Sequence, residues 1–388
     1  MVLPSSNWSY PTAIRFGAGR IAELADACRA LGVGRPLLVT DPGLAAMAMV
    51  RDAIAANRGS GLPTGLFSAI RPNPVGADVD AGAALYQAGG HDGVIAFGGG
   101  AALDAGKVIA FMSGQSRPIW DYEDREDWWT RADPGGIAPI VAVPTTAGTG
   151  SEVGRAGVIL DEAAQVKKII FHPKMMPAIV ILDPALTLGL PPHVTAATGM
   201  DALSHCIEAY CAPGFHPMAD GIAAEGARLI HDWLPVAFAD GGNLEARGNM
   251  LAAASMGTTA FQKGLGAMHA LSHPIGALCD SHHGLTNAVL MPYVLVHNRP
   301  AIEATIARLA AYIGLADASF EGFLVWILEL RRALAIPHAL PELKVCADQL
   351  DRIACMAEQD PSAGGNPLRF DAAAAREVLD AAMAGRIG

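Results

Sequence analysis

The stretch DGVIAFGGGAALDAGKVIA, residues 92–110, decides the fold class of this chain. Its apolar run VIAF is followed by three glycines and then by a segment rich in alanine. This order predicts a buried strand, a tight turn and a helix that begins directly after the turn. Continuous apolar strands are typical of parallel sheets that are covered on both faces. The stretch therefore predicts one strand–helix unit of a parallel α/β domain.

The same alternation continues through the first half of the chain. Further apolar runs that predict buried strands are RPLLVTD, APIVAVPTT and PAIVILDP, which begin at residues 35, 138 and 177. Helical segments such as GRIAELADACRALG lie between them, as expected for a parallel sheet. After the Pro191-Pro192 step the chain changes to long alanine-rich and leucine-rich helical stretches. We therefore expect an α/β domain over residues 1–190 and an all-helical domain over residues 191–388.

Composition narrows the class of protein. Of the 388 residues, 52% are hydrophobic and 17% are charged, and the net charge is −11. This balance disfavours nucleic acid or an anionic membrane as a partner, so we expect an enzyme that acts on small molecules. The six cysteines form no CxxC pair, the N-terminus lacks a signal-peptide pattern, and no apolar run reaches about 20 residues. These features predict a cytoplasmic protein without a membrane span.

Carboxylate and histidine side chains recur in the second half at helical spacing. Asp201 and His205 are four apart in TGMDALSHCIEAY; His269 and His273 are four apart in GAMHALSHPIGALCDSHHG, which also contains His283. Residues i and i+4 lie on the same face of a helix, so each pair can direct two side chains to one point. One carboxylate with neutral imidazoles suits a divalent ion such as Fe(II) or Zn(II). The alternative is a pair of polar helices with incidental histidines.

Two loops that follow predicted strands are candidates for a nucleotide site. In the first, residues 97–110, glycines would let backbone N–H groups approach a diphosphate at a helix N-terminus. Asp104 and Lys107 stand three apart on that helix and are expected to form an ion pair. The second loop, PTTAGTGSEVG at residues 144–154, offers hydroxyl donors from Thr145, Thr146, Thr149 and Ser151. Each loop alone could also be a tight structural turn.

Asp41 ends the predicted strand RPLLVTD. A carboxylate at this place can accept a hydrogen bond from the ribose 2′-OH and would repel a 2′-phosphate, which favours NAD over NADP. A single aspartate after a strand is also a common helix cap, so that alternative stays open.

Taken together, these motifs resemble the iron-containing (group III) alcohol dehydrogenase family. The resemblance covers essentially the whole chain and rests on PNP at residues 72–74, GGGAALDAGK, PTTAGTGSE, ILDPALTLGLPP and the two histidine-bearing segments, in this order. It implies the dehydroquinate synthase-like fold of that family: a dinucleotide-binding α/β domain with a parallel sheet, an all-α metal-binding domain, and an active site in the cleft between them. It also implies NAD and a divalent ion as cofactors, with Fe(II) first and Zn(II) second.

The resemblance also assigns individual residues. The metal ligands that it implies are Asp201, His205, His269 and His283. His283 is matched instead of His282 because the family's ligand directly precedes a glycine, here Gly284. His273 matches a histidine near the nicotinamide and the substrate that is not a ligand. The implied cofactor-binding positions are Asp41, Asn73, Gly99, Gly100, Ala101, Ala102, Leu103, Asp104, Thr145, Thr146, Thr149, Val158 and Lys167. Ala101 departs from the family, which usually has a serine there.

The expected reaction is reversible hydride transfer between an alcohol and its aldehyde or ketone. NAD carries the hydride, and the metal ion acts as the Lewis acid at the oxygen. His273 is the candidate for relaying the hydroxyl proton, because an ordinary imidazole titrates near neutrality. A purely structural role for this histidine is the alternative.

Two other reactions stay open. A reductase of an acidic carbonyl compound, of maleylacetate reductase or hydroxyacid dehydrogenase type, would need a basic residue, and only Lys263 stands just ahead of the histidine segment. A dehydroquinate synthase-like lyase would share the two-domain plan but would use NAD only transiently. Whatever the reaction, we expect a homodimer, since this is the commonest oligomer.

Overall fold

The structure is a computed structural model that describes residue 10 and residues 12–387. The N-terminal segment from which we predict the absence of a signal peptide lies mostly outside the described residues. The chain forms two compact units. The sheet unit comprises residues 12–146 and 150–189; the helical unit comprises residue 10 and residues 147–149 and 190–387. Three residues of the threonine-rich loop are therefore part of the helical unit.

The sheet unit is built on one parallel sheet. Its strands are β1 (Ala13–Phe16), β2 (Pro36–Val39), β3 (Gly65–Phe67), β4 (Gly93–Gly98), β5 (Ile140–Pro144), β6 (Ala156–Asp161), β7 (Val166–Phe171) and β8 (Ile179–Leu182). Six of them pair in parallel in the order β1-β8-β5-β4-β2-β3, whereas β6 and β7 form a separate antiparallel hairpin. The four predicted strands are β2, β4, β5 and β8, so the predicted parallel sheet is confirmed.

Apolar cores on both faces of this sheet explain why its strands are continuously apolar. The helices of the sheet unit are α1 (Leu24–Ala30), α2 (Pro42–Ala45), α3 (Ala48–Gly59), α4 (Gly76–Ala88) and α5 (Gly100–Met112). Leu37 and Val39 of β2 belong to a core that includes Val108 of α5. Leu38 between them belongs to a second core that includes Leu24 of α1. Successive strand side chains point to opposite faces, so both sets must be apolar.

The helical unit follows Gly189 and packs around one large apolar core. Its helices are α6 (Pro192–Cys211), α7 (Pro217–Ala239), α8 (Leu244–Ala260), α9 (Ala267–Cys279), α10 (His283–Tyr312), α11 (Phe320–Ala333), α12 (Leu350–Gln359) and α13 (Ala372–Ala384). Within the described part of the chain, no helix is both long enough and apolar enough to cross a membrane.

Two glycines allow neighbouring helices to approach α6 closely. A Cβ atom on Gly284, in the first turn of α10, would lie 2.4 Å from the carbonyl oxygen of Ala197 and 2.9 Å from Asp201 Cβ. A Cβ atom on Gly257 of α8 would lie 3.0 Å from the carbonyl oxygen of Ala202. Backbone atoms cannot move aside as a flexible side chain can, so glycine is required at residue 284, and a larger residue at 257 would push the helices slightly apart. The close approach brings the start of α10 against the middle of α6.

Candidate active site

The predicted metal ligands converge from three helices of the helical unit. Asp201 and His205 lie one turn apart on α6, His269 lies in the first turn of α9, and His283 is the first residue of α10. Ligand atoms of Asp201, His205 and His269 lie within 4.8 Å of one another, and all three side chains are buried. His283 Nε2 lies 3.6 Å from Asp201 Oδ1. The structure thus brings the four side chains together.

Groups behind the ligands determine which ring nitrogen faces the cluster. His269 Nδ1 donates to Glu208 Oε2 at 2.6 Å, which leaves Nε2 to face Asp201. The other Glu208 oxygen accepts from the N–H of Met268 at 2.6 Å. His283 Nδ1 lies 3.3 Å from the Ser272 hydroxyl. Such partners fix the tautomer and the ring orientation of metal-binding histidines.

Glu208 is a functional residue that the sequence analysis missed. It lies seven residues after Asp201 on α6, and thus on the same face of the helix. That spacing is a signal that could have indicated it. Its partner His269 is 61 residues away, however, so the contact itself requires the tertiary structure.

Burial and charge set the protonation of the clustered imidazoles. Burial lowers the pKa of His205 to about 4, so its ring is neutral at pH 7, as metal binding requires. Burial also disfavours charge on His269, but the Glu208 carboxylate outweighs this effect and raises the pKa of His269. One carboxylate oxygen with three imidazole nitrogens fits a borderline divalent ion such as Fe(II) or Zn(II).

Asn287 is a second member of the cluster that the sequence analysis missed. It lies one turn after His283 on α10 and is fully buried. Its Nδ2 donates to Asp201 Oδ1 at 2.9 Å and lies 3.3 Å from Nε2 of both His269 and His283. The i,i+4 spacing from His283 could have indicated it, but asparagine is not a usual zinc ligand and draws no attention in a sequence.

His273 lies beside the cluster with its own carboxylate partner. Its ring stacks on that of His283, with centroids 5.4 Å apart and an interplanar angle of 12°. His273 Nδ1 donates to Asp360 Oδ2 at 2.8 Å, and Asp360 Oδ1 accepts from the N–H of Ser362 at 2.9 Å. Burial opposes the charged carboxylate, but His273 and the Ser362 donor together lower the pKa of Asp360. An ionised Asp360 therefore holds the proton on Nδ1 and leaves Nε2 as an acceptor.

The glycine-rich turn of the sheet unit is closely packed at the carboxyl end of β4. Gly98 has a φ of +147°, and a Cβ atom on it would lie 2.7 Å from Ala102 Cβ, so only glycine fits. Gly99 is the N-cap of α5, whose first turn has N–H groups without helical acceptors. These N–H groups and the positive end of the helix suit a diphosphate.

Asp41 lies at the end of the neighbouring strand β2. Its Oδ1 caps α2 by accepting from the N–H of Leu44 at 2.9 Å, so the helix-cap alternative is correct for this oxygen. Its Oδ2 lies 3.7 Å from the place that a Cβ on Gly98 would occupy. A carboxylate accepts at both oxygens, so the cap leaves a second acceptor beside the glycine turn for a ribose hydroxyl.

A buried charge network connects the two candidate nucleotide loops. The predicted ion pair is present, with Lys107 Nζ 3.5 Å from Asp104 Oδ1. Lys107 is buried, and its Nζ also donates to the backbone carbonyls of Ser151, at 2.9 Å, and Ala156. Asp104 accepts from the Ser151 hydroxyl and, at 3.0 Å, from the N–H of Val158. Ser151 and Asp104 are therefore engaged with each other.

The predicted threonines fall in different units. Thr145 and Thr146 directly follow β5, and the N–H of Thr145 donates to the Gly98 carbonyl at 3.0 Å. A Cβ on Gly99 would lie 3.4 Å from Thr146 Cγ2, so this pair adjoins the glycine turn. Thr149 belongs to the helical unit, where its carbonyl accepts from the Thr258 hydroxyl at 2.7 Å.

Three further predicted cofactor positions lie on or beside the β6–β7 hairpin. Val158 is on β6, and Lys167 is on β7 opposite Leu160. Asn73 precedes Pro74, whose carbonyl accepts from the N–H of Leu160 at 2.8 Å. Of these three, Val158 is connected to the glycine-rich helix through Asp104. Their roles as cofactor contacts stay predictions.

Family models match both halves of the chain. The model of the iron-containing alcohol dehydrogenase matches residues 11–184, and the C-terminal model of the Fe-containing alcohol dehydrogenase family matches residues 195–383. The chain belongs to the iron-containing alcohol dehydrogenase family. The resemblance inferred from the sequence is thereby confirmed. Both models are those of alcohol dehydrogenases, which favours that reaction over the dehydroquinate synthase-like alternative.

Relatives within the iron-containing alcohol dehydrogenase family cover nearly the whole chain. The chain is 39% identical to 4-hydroxybutyrate dehydrogenase of Cupriavidus necator, over 96% of this chain and 99% of that protein. It is 36% identical to 1,3-propanediol dehydrogenase of Klebsiella pneumoniae, over 91% of this chain and 92% of that protein.

Solved structures of the family agree with the fold. A 1,3-propanediol oxidoreductase is similar with a TM-score of 0.93 at 34% identity, over 98% of this chain and 100% of that chain. Sulfoacetaldehyde reductase from Bifidobacterium kashiwanohense, in complex with NAD+, is similar with a TM-score of 0.88 at 29% identity. The similarity covers 98% of this chain and 99% of that chain. The predicted fold class is confirmed. As a member of this family, the protein is a metal-dependent, NAD-linked oxidoreductase that interconverts alcohols with aldehydes or ketones.

Lys107→Met should destabilise the sheet unit by about 2–4 kcal/mol, because Asp104 and two backbone carbonyls would lose a buried donor. Urea unfolding measures the effect. Lys174→Met is the matched control, since Lys174 also donates to a backbone carbonyl, that of Pro134, but at the exposed surface. The free energy of unfolding of this control should fall by less than about 0.5 kcal/mol. Equal losses in the two variants would contradict the role assigned to the buried network.

Proposed function

We propose that the four clustered side chains hold the divalent ion of the family, with Fe(II) first and Zn(II) second. They are Asp201, His205, His269 and His283. The observation that carries this proposal is the convergence of one carboxylate and three imidazoles, of which only the His283 ring is partly exposed. A buried carboxylate is costly unless cations or donors compensate its charge. The hydrogen bond between His269 Nδ1 and Glu208 supports the proposal, since it leaves Nε2 as the ring nitrogen that can bind an ion.

NAD is proposed to bind at the carboxyl edge of the parallel sheet, as ligands do in open α/β sheets. The first turn of α5, whose N-cap Gly99 makes no side-chain cap, supports a diphosphate site. The Asp41 carboxylate supports NAD over NADP, because it would repel a 2′-phosphate. We assign Asp104 to holding the Ser151 loop in place behind this site. The other proposed contacts are Asn73, Gly99, Gly100, Ala101, Ala102, Leu103, Thr145, Thr146, Thr149, Val158 and Lys167.

His273 is proposed to accept and return the hydroxyl proton of the substrate. When bound, the metal ion stabilises negative charge on the substrate oxygen, and the nicotinamide accepts or returns the hydride. The proton then needs an acceptor near the metal ligands. Stacking on His283 keeps the His273 ring there, and the bond to Asp360 leaves Nε2 as the acceptor.

A small neutral primary alcohol or diol is the proposed substrate, as the name of the 1,3-propanediol dehydrogenase suggests. A hydroxy acid is the second candidate, because the relative that is 39% identical is a 4-hydroxybutyrate dehydrogenase. Lys263 gives no support to the second candidate. Its amine is already paired with the Asp220 carboxylate and lies 3.2 Å from the Tyr210 carbonyl. A substrate carboxylate would therefore need another basic group.

We also propose a cytoplasmic homodimer without a nucleic-acid partner. The net charge of −11 would repel a polyanion. The cysteines of the described residues are all free thiols, as is usual in a reducing compartment. A closed dimer is the commonest assembly of soluble enzymes.

His283→Ala should lose most of its bound metal, whereas His282→Ala should keep it. The two residues are neighbours, but the His282 ring accepts from the N–H of Leu285 and caps α10 instead of facing Asp201. Its loss should cost only about 1 kcal/mol of stability. Elemental analysis of protein purified without added metal measures the difference, with Asp201→Ala as the positive control. If His283→Ala and Asp201→Ala both retain full metal, the proposed ligand set is wrong.

His273→Ala should keep its metal but lower kcat by about 10²–10⁴-fold, which is the range of general acid–base catalysis. Asp360→Asn should also keep its metal, lower kcat by about 10–100-fold and change the pH dependence of kcat, because the ring loses the carboxylate that sets its tautomer. A purely structural histidine would instead lower stability and leave the shape of the pH–kcat profile unchanged.

The Asp360→Asn variant should also change how the stability of the protein depends on pH. The pKa of Asp360 is lowered in the folded protein, so its ionised form stabilises the fold above the unfolded value near 4. This contribution is lost as the pH falls through the folded pKa. The stability difference between wild type and variant should therefore be largest at neutral pH and shrink in acid.

The NAD-linked oxidation of propane-1,3-diol, butane-1,4-diol and 4-hydroxybutyrate, followed as NADH absorbance, tests the substrate proposal. We expect kcat/KM to be at least about tenfold higher for the diols than for the acid, since a buried unpaired carboxylate would oppose transition-state binding. A preference for 4-hydroxybutyrate would establish the second candidate. Replacing NAD with NADP in the same assay should lower kcat/KM, and Asp41→Ala should reduce that discrimination.

A further inference from the structure

The side-chain amide of Asn287 contacts the same atoms that the proposed metal site uses. Its Nδ2 lies 2.9 Å from Asp201 Oδ1 and 3.3 Å from the Nε2 atoms of His269 and His283. The side chain is fully buried, and Asn287 Oδ1 is buried without a hydrogen-bond partner among the described residues. One N–H of the amide therefore donates to Asp201, and the second lies within reach of the two imidazole nitrogens.

The chemistry of these acceptors fixes the orientation of the amide. The Asp201 carboxylate can only accept, and it lies 2.9 Å from the Asn287 amide. Turning Asn287 Oδ1 toward Asp201 would place an acceptor against an acceptor. The N–H groups must therefore face the cluster, even though this leaves the carbonyl oxygen unpaired at a cost.

We propose that Asn287 is a placeholder for the metal ion: its amide pairs with the ligand atoms in the metal-free protein and releases the imidazoles when the ion binds. This inference rests on the ligand set proposed above. An imidazole Nε2 has one lone pair, which can accept a hydrogen bond or bind a metal but cannot do both. A carboxylate has several acceptor sites, so the bond to Asp201 can persist beside a metal ion.

Thermodynamic linkage predicts whether Asn287 raises or lowers the affinity for the metal ion. The amide makes more favourable contacts in the metal-free protein than in the metal-bound protein, because only the bond to Asp201 is compatible with both. A contact that stabilises the free state more than the bound state weakens binding. Asn287 thus keeps the buried carboxylate compensated and the ligands assembled before the ion arrives, and it lowers the affinity for the ion. A residue that only orients ligands would raise the affinity.

Asn287→Leu tests the proposal, since leucine has a similar shape and no donor. Zn²⁺ is the probe, and the full chain is measured after chelator treatment and after reloading. The metal-free Tm should fall by about 3 °C or more, because Asp201 loses a buried donor. The Tm of the Zn²⁺-loaded protein should fall less, and chelator competition should give a Kd about tenfold tighter than wild type.

Asn249→Leu is the matched control, since Asn249 donates its amide to the exposed Glu245 carbonyl of the preceding turn, away from the proposed ligands. It should leave both the metal-dependent change in Tm and the Kd unchanged. Asn287→Thr keeps one hydroxyl donor and should be intermediate between asparagine and leucine. If the leucine variant does not fold without metal, the Tm and Kd of Asn287→Thr test the proposal instead.

Two outcomes would overturn the placeholder role. A weaker Kd in Asn287→Leu would make Asn287 a residue that orients the ligands. Equal losses of Tm in the metal-free and Zn²⁺-loaded proteins, with an unchanged Kd, would make it an ordinary core residue. Asp201→Ala separates these results from failure of the site itself. If that variant binds Zn²⁺ as tightly as wild type, the ligand set is wrong, whatever the Asn287 variants do.

Discussion

The buried carboxylate of Asp201 is the constraint on which the helical unit depends. It is only 2% exposed and lies on a helix whose neighbours are mostly apolar. Such a charge is tolerated only when donors or cations compensate it, so the packing around it must deliver polar groups to a small space. Gly284 does so by letting the first turn of α10 lie against α6, which brings His283 and Asn287 to the carboxylate.

Carboxylates behind the cluster give different roles to similar histidines. His269 and His273 are one turn apart on α9, and spacing alone makes them equivalent. Glu208 holds His269 by its Nδ1 and directs its other nitrogen to Asp201, whereas Asp360 holds His273 by its Nδ1 and keeps it outside the cluster. The hydrogen-bond partner of each ring therefore distinguishes the proposed ligand His269 from the proposed proton relay His273.

The elements that could be predicted from the sequence are those that depend on residues close together in the chain. Continuous apolar runs indicate strands covered on both faces, and the i,i+4 pair of Asp201 and His205 indicates one helix face. The β6–β7 hairpin was not predicted, because its strands are only half-buried and Lys167 and Lys168 interrupt the apolar residues of β7. Asp360 could not be assigned either, since it is 87 residues from His273 and only the packed helices bring the two together.

The carboxylates of Asp104 and Asp201 have different surroundings. In the sheet unit, Asp104 is paired with Lys107, the Ser151 hydroxyl and a backbone N–H, so its charge is compensated by the chain itself. In the helical unit, Asp201 has a neutral amide donor and is surrounded by imidazole nitrogens that accept. A carboxylate and imidazole nitrogens are the ligand atoms that a borderline divalent cation binds, which supports the proposed metal site. The charge of Asp104 is thus compensated by protein donors, whereas Asp201 lies in the ligand set proposed for a metal ion.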